Sequence, residues 1–239
     1  MATVLAALHV SPAALLGRGG EARVYALDDR RVVRIGHGRL PPALIARRQE
    51  LVDELRSRGA PFELPDVLDA GEIAGRSYTI ERRFPGVPVT EMLATIGGRE
   101  RAVLIEHHLD AAAALGSLHL DPRGWFGELL SDPPPRASTW QQDLVARAAR
   151  SVQLAPVEFH QLDLAAVASG LPECVRPGFV HLDAFAGNML AVGSQITAVL
   201  DVGATSLVGD PRWTRCRALS TCPPRRSPRL LDRVMSRSR

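Results

Sequence analysis

Near the C-terminal end, Val180-His181-Leu182-Asp183-Ala184-Phe185-Ala186-Gly187-Asn188-Met189-Leu190 sets a His, an Asp and an Asn at short intervals between two apolar runs. A further acid follows in Asp201-Val202-Gly203, after the apolar stretch "ITAVL". Short apolar runs bounded by turn residues read as strands. "GFVHLD", "NMLAVG" and "ITAVLDVG" are therefore strand-and-turn pieces, and a hairpin brings Asp183, Asn188 and Asp201 to one end of a strand pair. A fold for this chain must either use that end as a site or satisfy three polar side chains there. The chain contains no Lys, so all 29 of its basic residues are Arg, and Asn188 is its only Asn.

Three oxygen-bearing side chains suit a hard cation. Mg²⁺ takes one or two carboxylates and completes its shell with water and substrate phosphates. In that division Asn188 and Asp201 hold the metal, and Asp183 accepts the proton of a hydroxyl attacking phosphorus. The plainer reading is a hairpin whose acids cap turns. His-x-Asp-x₄-Asn alone leaves the two readings balanced, and Asp201-x-Gly203 tips the balance towards the metal site.

Far upstream, residues 15–35 read as strands around a glycine turn, "LLGRGGEARVYALDDRRVVRI". Gly17, Gly19 and Gly20 let backbone N–H groups approach phosphate oxygens closely. The turn lacks the Gly-Lys-Ser/Thr ending of a P-loop, and by itself an ordinary hairpin explains it. Arg34, in "RVVRIG", is placed to reach phosphates. A helix over 42–58 carries Glu50 as a partner for Arg34, with Glu54 as the competing choice. "RSYTIERRF" at 76–84 is another strand, closed by Pro85-Gly86. Beyond it the pattern predicts a long amphipathic helix over 100–119, a loop at 131–138, and helices over 139–150 and 160–170. The plan is α+β: a β-rich N-lobe over 1–85 that binds nucleotide, a mainly helical catalytic lobe over 86–211, and an Arg/Pro/Ser-rich tail over 212–239 with partial disorder.

Charge separates the same regions. The formal net charge is +3, yet residues 1–211 carry −5 and residues 212–239 carry +8. The basic balance belongs to the tail, so no nucleic-acid partner is expected of the lobes. The Cys residues, at 174, 216 and 222, lack zinc-knuckle spacing and suggest a reduced, cytoplasmic setting. The apolar start "MATVLAALHVSPAALL" has no basic leader and is interrupted by Pro12, so it is expected to fold rather than to be cleaved. No apolar run reaches the ~20 residues of a membrane span.

The stretches "GRGGEARVYAL", "RVVRIG", "YTIERRFPGVPV", "LGSLH", "VHLDAFAGNML" and "AVLDVGATSLVGDPRW" occur in an order that resembles the aminoglycoside phosphotransferase family, relatives of choline kinase. The resemblance covers roughly residues 15–213. It implies a two-lobed, protein-kinase-like fold and an ATP- and Mg²⁺-dependent transfer of phosphate to a hydroxyl of a small molecule. It also implies Asp183 as catalytic base, Asn188 and Asp201 as Mg²⁺ ligands, and Arg34 as phosphate-contacting cation. The strand ending Glu81-Arg82-Arg83 becomes the hinge that meets the adenine, and His181 and His119 become structural. Arg34 stands where the family usually has Lys, and Thr214 where it usually has Asp, followed by several helices. An acidic acceptor pocket for a polycation then has only Asp143, Glu158 and Asp163 to draw on, each more simply a solvated helix acid. Two competing readings are a nucleotide-binding pseudokinase without efficient turnover and an Arg-tailed protein that binds nucleic acid.

Overall fold

The computed structural model of the chain describes residues 1–131 and 136–220. A short helix, α1 (Ala2–Ala7), leads into an antiparallel sheet of β1 (Leu15–Arg18), β2 (Ala22–Ala26), β3 (Arg31–Gly36), β4 (Val67–Ile73) and β5 (Arg76–Arg82), in the order β1-β2-β3-β5-β4. Between β3 and β4 lies α2 (Pro42–Ser57). Pro42 fits its first turn, where the missing N–H is not needed. Gly59, with φ 81°, stands just past its end.

Strand alternation decides which residues face the cleft. Val33 and Ile35 of β3 are buried against Val4, Leu5 and Val10 of the N-terminal segment. Arg34, between them, points to the opposite face, beside Val24 of β2 and Thr79 of β5. On β5, Ser77, Thr79 and Glu81 are buried while Tyr78 and Ile80 pack on the α1 side. The face turned towards α2 is therefore polar. The apolar first 16 residues are folded, as the sequence suggested, and cover the other face.

The second lobe follows a narrow crossing. Gly86, with φ 119°, sits where an added Cβ would lie 2.8 Å from the Ala191 carbonyl oxygen, so no other residue fits there without displacing backbone. Next come β6 (Val87–Pro88), α3 (Val89–Thr95), the long α4 (Gly98–Gly116), β7 (Gly127–Glu128), α5 (Trp140–Gln153) and α6 (Leu164–Ser169). The chain then forms β8 (Gly178–His181), β9 (Met189–Val192), β10 (Gln195–Val199), β11 (Ser206–Gly209) and α7 (Arg212–Ser220). Two small sheets, β10-β9-β6 and β7-β11-β8, hold the polar loops. The capping box of Thr139 and Gln142 fixes the start of α5. The largest core joins Leu51, Val52 and Leu55 of α2 to Leu104, Leu109 and Leu115 of α4 and to Phe179, Met189 and Val202. Among the described residues, no helix is long and apolar enough to cross a membrane.

One expectation needs correction. The tail foreseen from residue 212 begins as helix α7, with Thr214 and Ala218 fully buried. Its weak apolar periodicity hid it, because the buried face is made of small residues that pack on α4 and β8. Residues 221–239, with Cys222, and residues 132–135 of the foreseen loop lie outside the described residues.

Candidate nucleotide and metal site

The loop after β8 is organised by one buried imidazole. His181 is fully buried; its Nδ1 accepts the Asp183 N–H at 3.3 Å and its Nε2–H donates to the Leu200 carbonyl at 3.3 Å. The ring thus ties the Asp183 loop to the residue before Asp201. Burial pushes the His181 pKa down, partly opposed by the Leu200 carbonyl and by the charges of Asp201 and Asp183. The ring stays neutral and serves as a brace. The His181 N–H is satisfied from α7, by the Thr214 hydroxyl at 3.1 Å. Arg217 Nε donates to the Leu182 carbonyl at 2.7 Å. His119, the other histidine read as structural, is exposed.

Asn188 Nδ2 donates to the Asp183 carboxylate at 2.9 Å and to its carbonyl at 3.0 Å. The amide oxygen of Asn188 is thereby left as its accepting atom. The Asn188 carbonyl accepts from Leu200 N–H at 2.7 Å, which brings the Asn188 and Asp201 segments side by side. Asp201 adopts φ 56°, a left-handed conformation uncommon outside glycine and found at functional sites. Its Oδ1 lies 2.7 Å from Arg34 Nη2, and Glu21 approaches the same guanidinium at 4.0 Å. Among the described residues no three His, Cys, Asp or Glu side chains form a self-contained metal cage. The Asp201 carboxylate and the Asn188 amide oxygen suit Mg²⁺, which needs few protein ligands when phosphates and water complete its shell.

Arg34 and Asp201 line a cavity of about 620 Å³ with Glu21, Arg48, Thr79 and Glu128. Arg34 and Arg48 supply positive charge to this wall. The other nucleotide residues inferred from the sequence are placed differently. Gly17, Gly19 and Gly20 form the β1–β2 turn outside this cavity, closed by the Gly19 N–H donating to the Ala22 carbonyl at 2.9 Å. Glu50 is exposed on α2, and the carboxylates at Arg34 are those of Asp201 and Glu21. Arg47 and Arg48 of α2 line the cavity, and Arg48 lies two residues before Glu50, about 200° away round the helix. At the expected hinge, Glu81 is buried and accepts from the Thr79 hydroxyl at 2.6 Å. The N–H groups of Arg82 and Arg83 are taken by the carbonyls of Asp66 and Arg30. Arg83 reaches the Asp28 carbonyl and lines a separate groove with Arg30 and Arg31. An adenine edge would have to find its donor elsewhere.

On the acceptor side, Glu128 is engaged by Arg147 and Arg150. Asp143 is buried, and desolvation raises its pKa. Asp163 caps α6 through Ala166 N–H, a local duty that explains it without a ligand, and Glu158 is exposed. Sequence reasoning missed Arg48 and the bonding role of Thr214. Thr214 did carry a signal, as the odd residue at the end of the recognisable pattern.

A β-rich lobe followed by a mainly helical lobe that carries the Asp183 and Asp201 loops defines a two-lobed protein-kinase-like α+β fold. The family model described as "Phosphotransferase enzyme family" (APH) matches residues 12–214, and the chain belongs to that family. Among solved structures, the streptomycin–ATP ternary complex of APH(2")-IIa is 16% identical, covers 88% of this chain and 71% of that one, and has a TM-score of 0.56. The GDP and kanamycin complex of APH(2")-IIia is 15% identical over 93% and 75%, with a TM-score of 0.62. APH(3'')-Id from Streptomyces rimosus, in complex with ADP and streptomycin, is 16% identical over 98% and 87%, with a TM-score of 0.58. At these identities the structural likeness establishes the fold. No curated protein matches the chain.

Proposed function

We propose that this phosphotransferase moves the γ-phosphate of a nucleoside triphosphate, with ATP as the first choice, to a hydroxyl of a small molecule. The observation that carries the reading is the pair of contacts on either side of His181: Asn188 to Asp183, and Arg34 to Asp201. They support a grouping of Asp183 with Asn188 and of Asp201 with Arg34, the last two on the cavity wall. Asp183 is the base; its carboxylate is oriented by Asn188 so that a hydroxyl can give up its proton there. Arg34 holds phosphate oxygens, and Gly17, Gly19 and Gly20 offer a backbone free of side chains above them. Asn188 and Asp201 hold Mg²⁺, which when bound neutralises phosphate charge. Most of the rate then comes from positioning and electrostatics.

The solved relatives named above bind streptomycin or kanamycin with ATP, ADP or GDP, which makes an aminoglycoside the first acceptor to test. The test is a thermal-shift titration with ATP and with GTP, each in Mg²⁺ and in EDTA. A phosphorylation screen of aminoglycosides, macrolides, choline and sugars follows. Greater stabilisation with Mg²⁺ is expected; a ligand at ~100 times its Kd adds roughly 2.7 kcal/mol. Equal shifts with and without metal would remove the basis for Asn188 and Asp201 as ligands.

A further inference from the structure

Arg48 is an α2 side chain whose contacts are all remote from its own helix. Its Nε donates to the Val202 carbonyl at 2.7 Å, across 154 residues of sequence. Its Nη1 lies 4.0 Å from the Glu81 carboxylate, which also accepts from Thr79. The side chain is only 15% exposed, and its Nη2 is buried without a hydrogen-bond partner among the described residues. A buried cation with one nitrogen unsatisfied is poorly explained by stability, because desolvation offsets what the attraction returns. What it touches is more informative. The Val202 carbonyl belongs to the Val202–Gly203 peptide, so the contact falls on the residue bonded directly to Asp201, which is held at φ 56°. Fixing that carbonyl anchors Val202 and so restrains the chain immediately after Asp201, which limits how far the Asp201 backbone can relax into a commoner conformation.

From this we infer that Arg48 is the positioning residue for Asp201. It links α2 and the Glu81 end of β5 to the loop that carries the metal-binding carboxylate. Arg34 cannot take this role, because it grips the Asp201 side chain and must exchange that contact for phosphate when nucleotide arrives. Arg48 grips the backbone instead, and its hold persists while the side chain changes partner. A displacement of α2 would then be passed to Asp201 through one hydrogen bond, so the N-lobe helix sets the metal affinity of a C-lobe loop. The inference rests on the functional reading above for Asp201 as a ligand, while the positional role of Arg48 stands on its own contacts.

Two variants and two readouts separate these parts. Arg48→Met keeps length and removes the donors; Arg48→Lys keeps charge but cannot reach Val202 and Glu81 together. In the ligand-free protein, hydrogen exchange of the 199–204 segment should speed up about tenfold in Arg48→Met and less in Arg48→Lys, with β2 and β3 unchanged. In Arg48→Lys, which keeps the charge on the cavity wall, ATP and GTP affinities in EDTA should stay within about threefold of the parent, while the gain on adding Mg²⁺ shrinks, about tenfold in Arg48→Met. Unchanged exchange at 199–204 in a folded variant overturns the inference. So does a loss of nucleotide affinity that is equal with and without Mg²⁺, which would make Arg48 a direct nucleotide contact. If Arg48→Met does not fold, Arg48→Lys carries the same two comparisons. Faster exchange together with no Mg²⁺ gain in the parent protein would sustain the role of Arg48 and sink the metal reading of Asp201.

Discussion

The two walls of the cleft are held by different means. On the C-lobe wall, the His181 ring joins the Asp183 N–H to the backbone before Asp201, Asn188 bonds Asp183 directly, and the His181 backbone N–H is held by Thr214 of α7. On the N-lobe side, the glycine turn at the edge of the cavity is held by the Gly19 N–H to the Ala22 carbonyl and by His37 Nε2 3.2 Å from the Gly19 carbonyl, and nothing lies within 4 Å of a Cβ built at Gly17 or Gly20. One wall is satisfied internally, and the other leaves backbone exposed. On the proposed function this contrast suits phosphoryl transfer, in which the reacting groups must be fixed while a large polyanion must still enter.

The largest effect should come from the braced wall. Asp183→Asn keeps the shape and the contact to Asn188 but removes the base, so turnover should fall about 10²–10⁴-fold while Mg²⁺-nucleotide affinity is nearly kept. Asp201→Ala should instead abolish the metal-dependent part of nucleotide binding. Titration calorimetry and initial rates separate the two. Equal loss of nucleotide affinity in both would dissolve the distinction between base and ligand.

Acid should loosen the same wall from behind. His108 of α4 is fully buried with Nδ1 3.2 Å from Met189 Sδ, and desolvation lowers its pKa to about 4. The folded state binds the proton more weakly than the unfolded chain does. Stability present above the ordinary histidine pKa of about 6.5 is therefore lost as pH falls towards 4, by roughly 3 kcal/mol in all. The buried His181 acts in the same direction. Denaturation curves from pH 7 to 4 should show this slope, and His108→Leu should flatten part of it. An unchanged slope in that variant would mean that other groups dominate the acid loss.

Thr214→Val tests whether α7 belongs to the braced wall. The change keeps volume but leaves the buried His181 N–H without its acceptor, a cost of about 1–3 kcal/mol. Stability measured by urea should fall by that amount, and turnover should fall with it if the brace matters to Asp183. A neutral result would return α7 to the status of a dispensable tail.

These partners also mark where sequence reading stops. The spacing of Asp183, Asn188 and Asp201 was legible because each sits at the end of a short strand, and alternation then fixes direction. Arg34 was legible for the same reason, lying between Val33 and Ile35. Glu50 was misplaced because choosing among neighbouring polar residues on α2 needs the rotation of that helix, which only the burial of Leu51, Val52 and Leu55 in the shared core sets. The partners of the expected hinge were not legible: the N–H groups of Arg82 and Arg83 are taken by carbonyls at Asp66 and Arg30, a matter of register that no local pattern reveals. Strand β4 and helix α7 escaped for a related reason: one has an irregular exposed face, and the other buries small residues.

The smallest effect on the fold should come from the open wall. Gly20 has an ordinary φ, and a Cβ there meets no atom within 4 Å. The fold therefore does not require glycine at this position, and Gly20→Ala should change stability by no more than about 0.5 kcal/mol. If the turn cradles phosphate, the added methyl group stands where a phosphate oxygen has to approach the backbone N–H groups. ATP and GTP affinity should then drop severalfold while the melting temperature and the Mg²⁺ dependence stay as they were. A drop confined to nucleotide binding would assign the turn to the triphosphate. Unchanged affinity would leave the β1–β2 turn as an ordinary hairpin and shift the phosphate-binding role to Arg34 and the cavity beneath it.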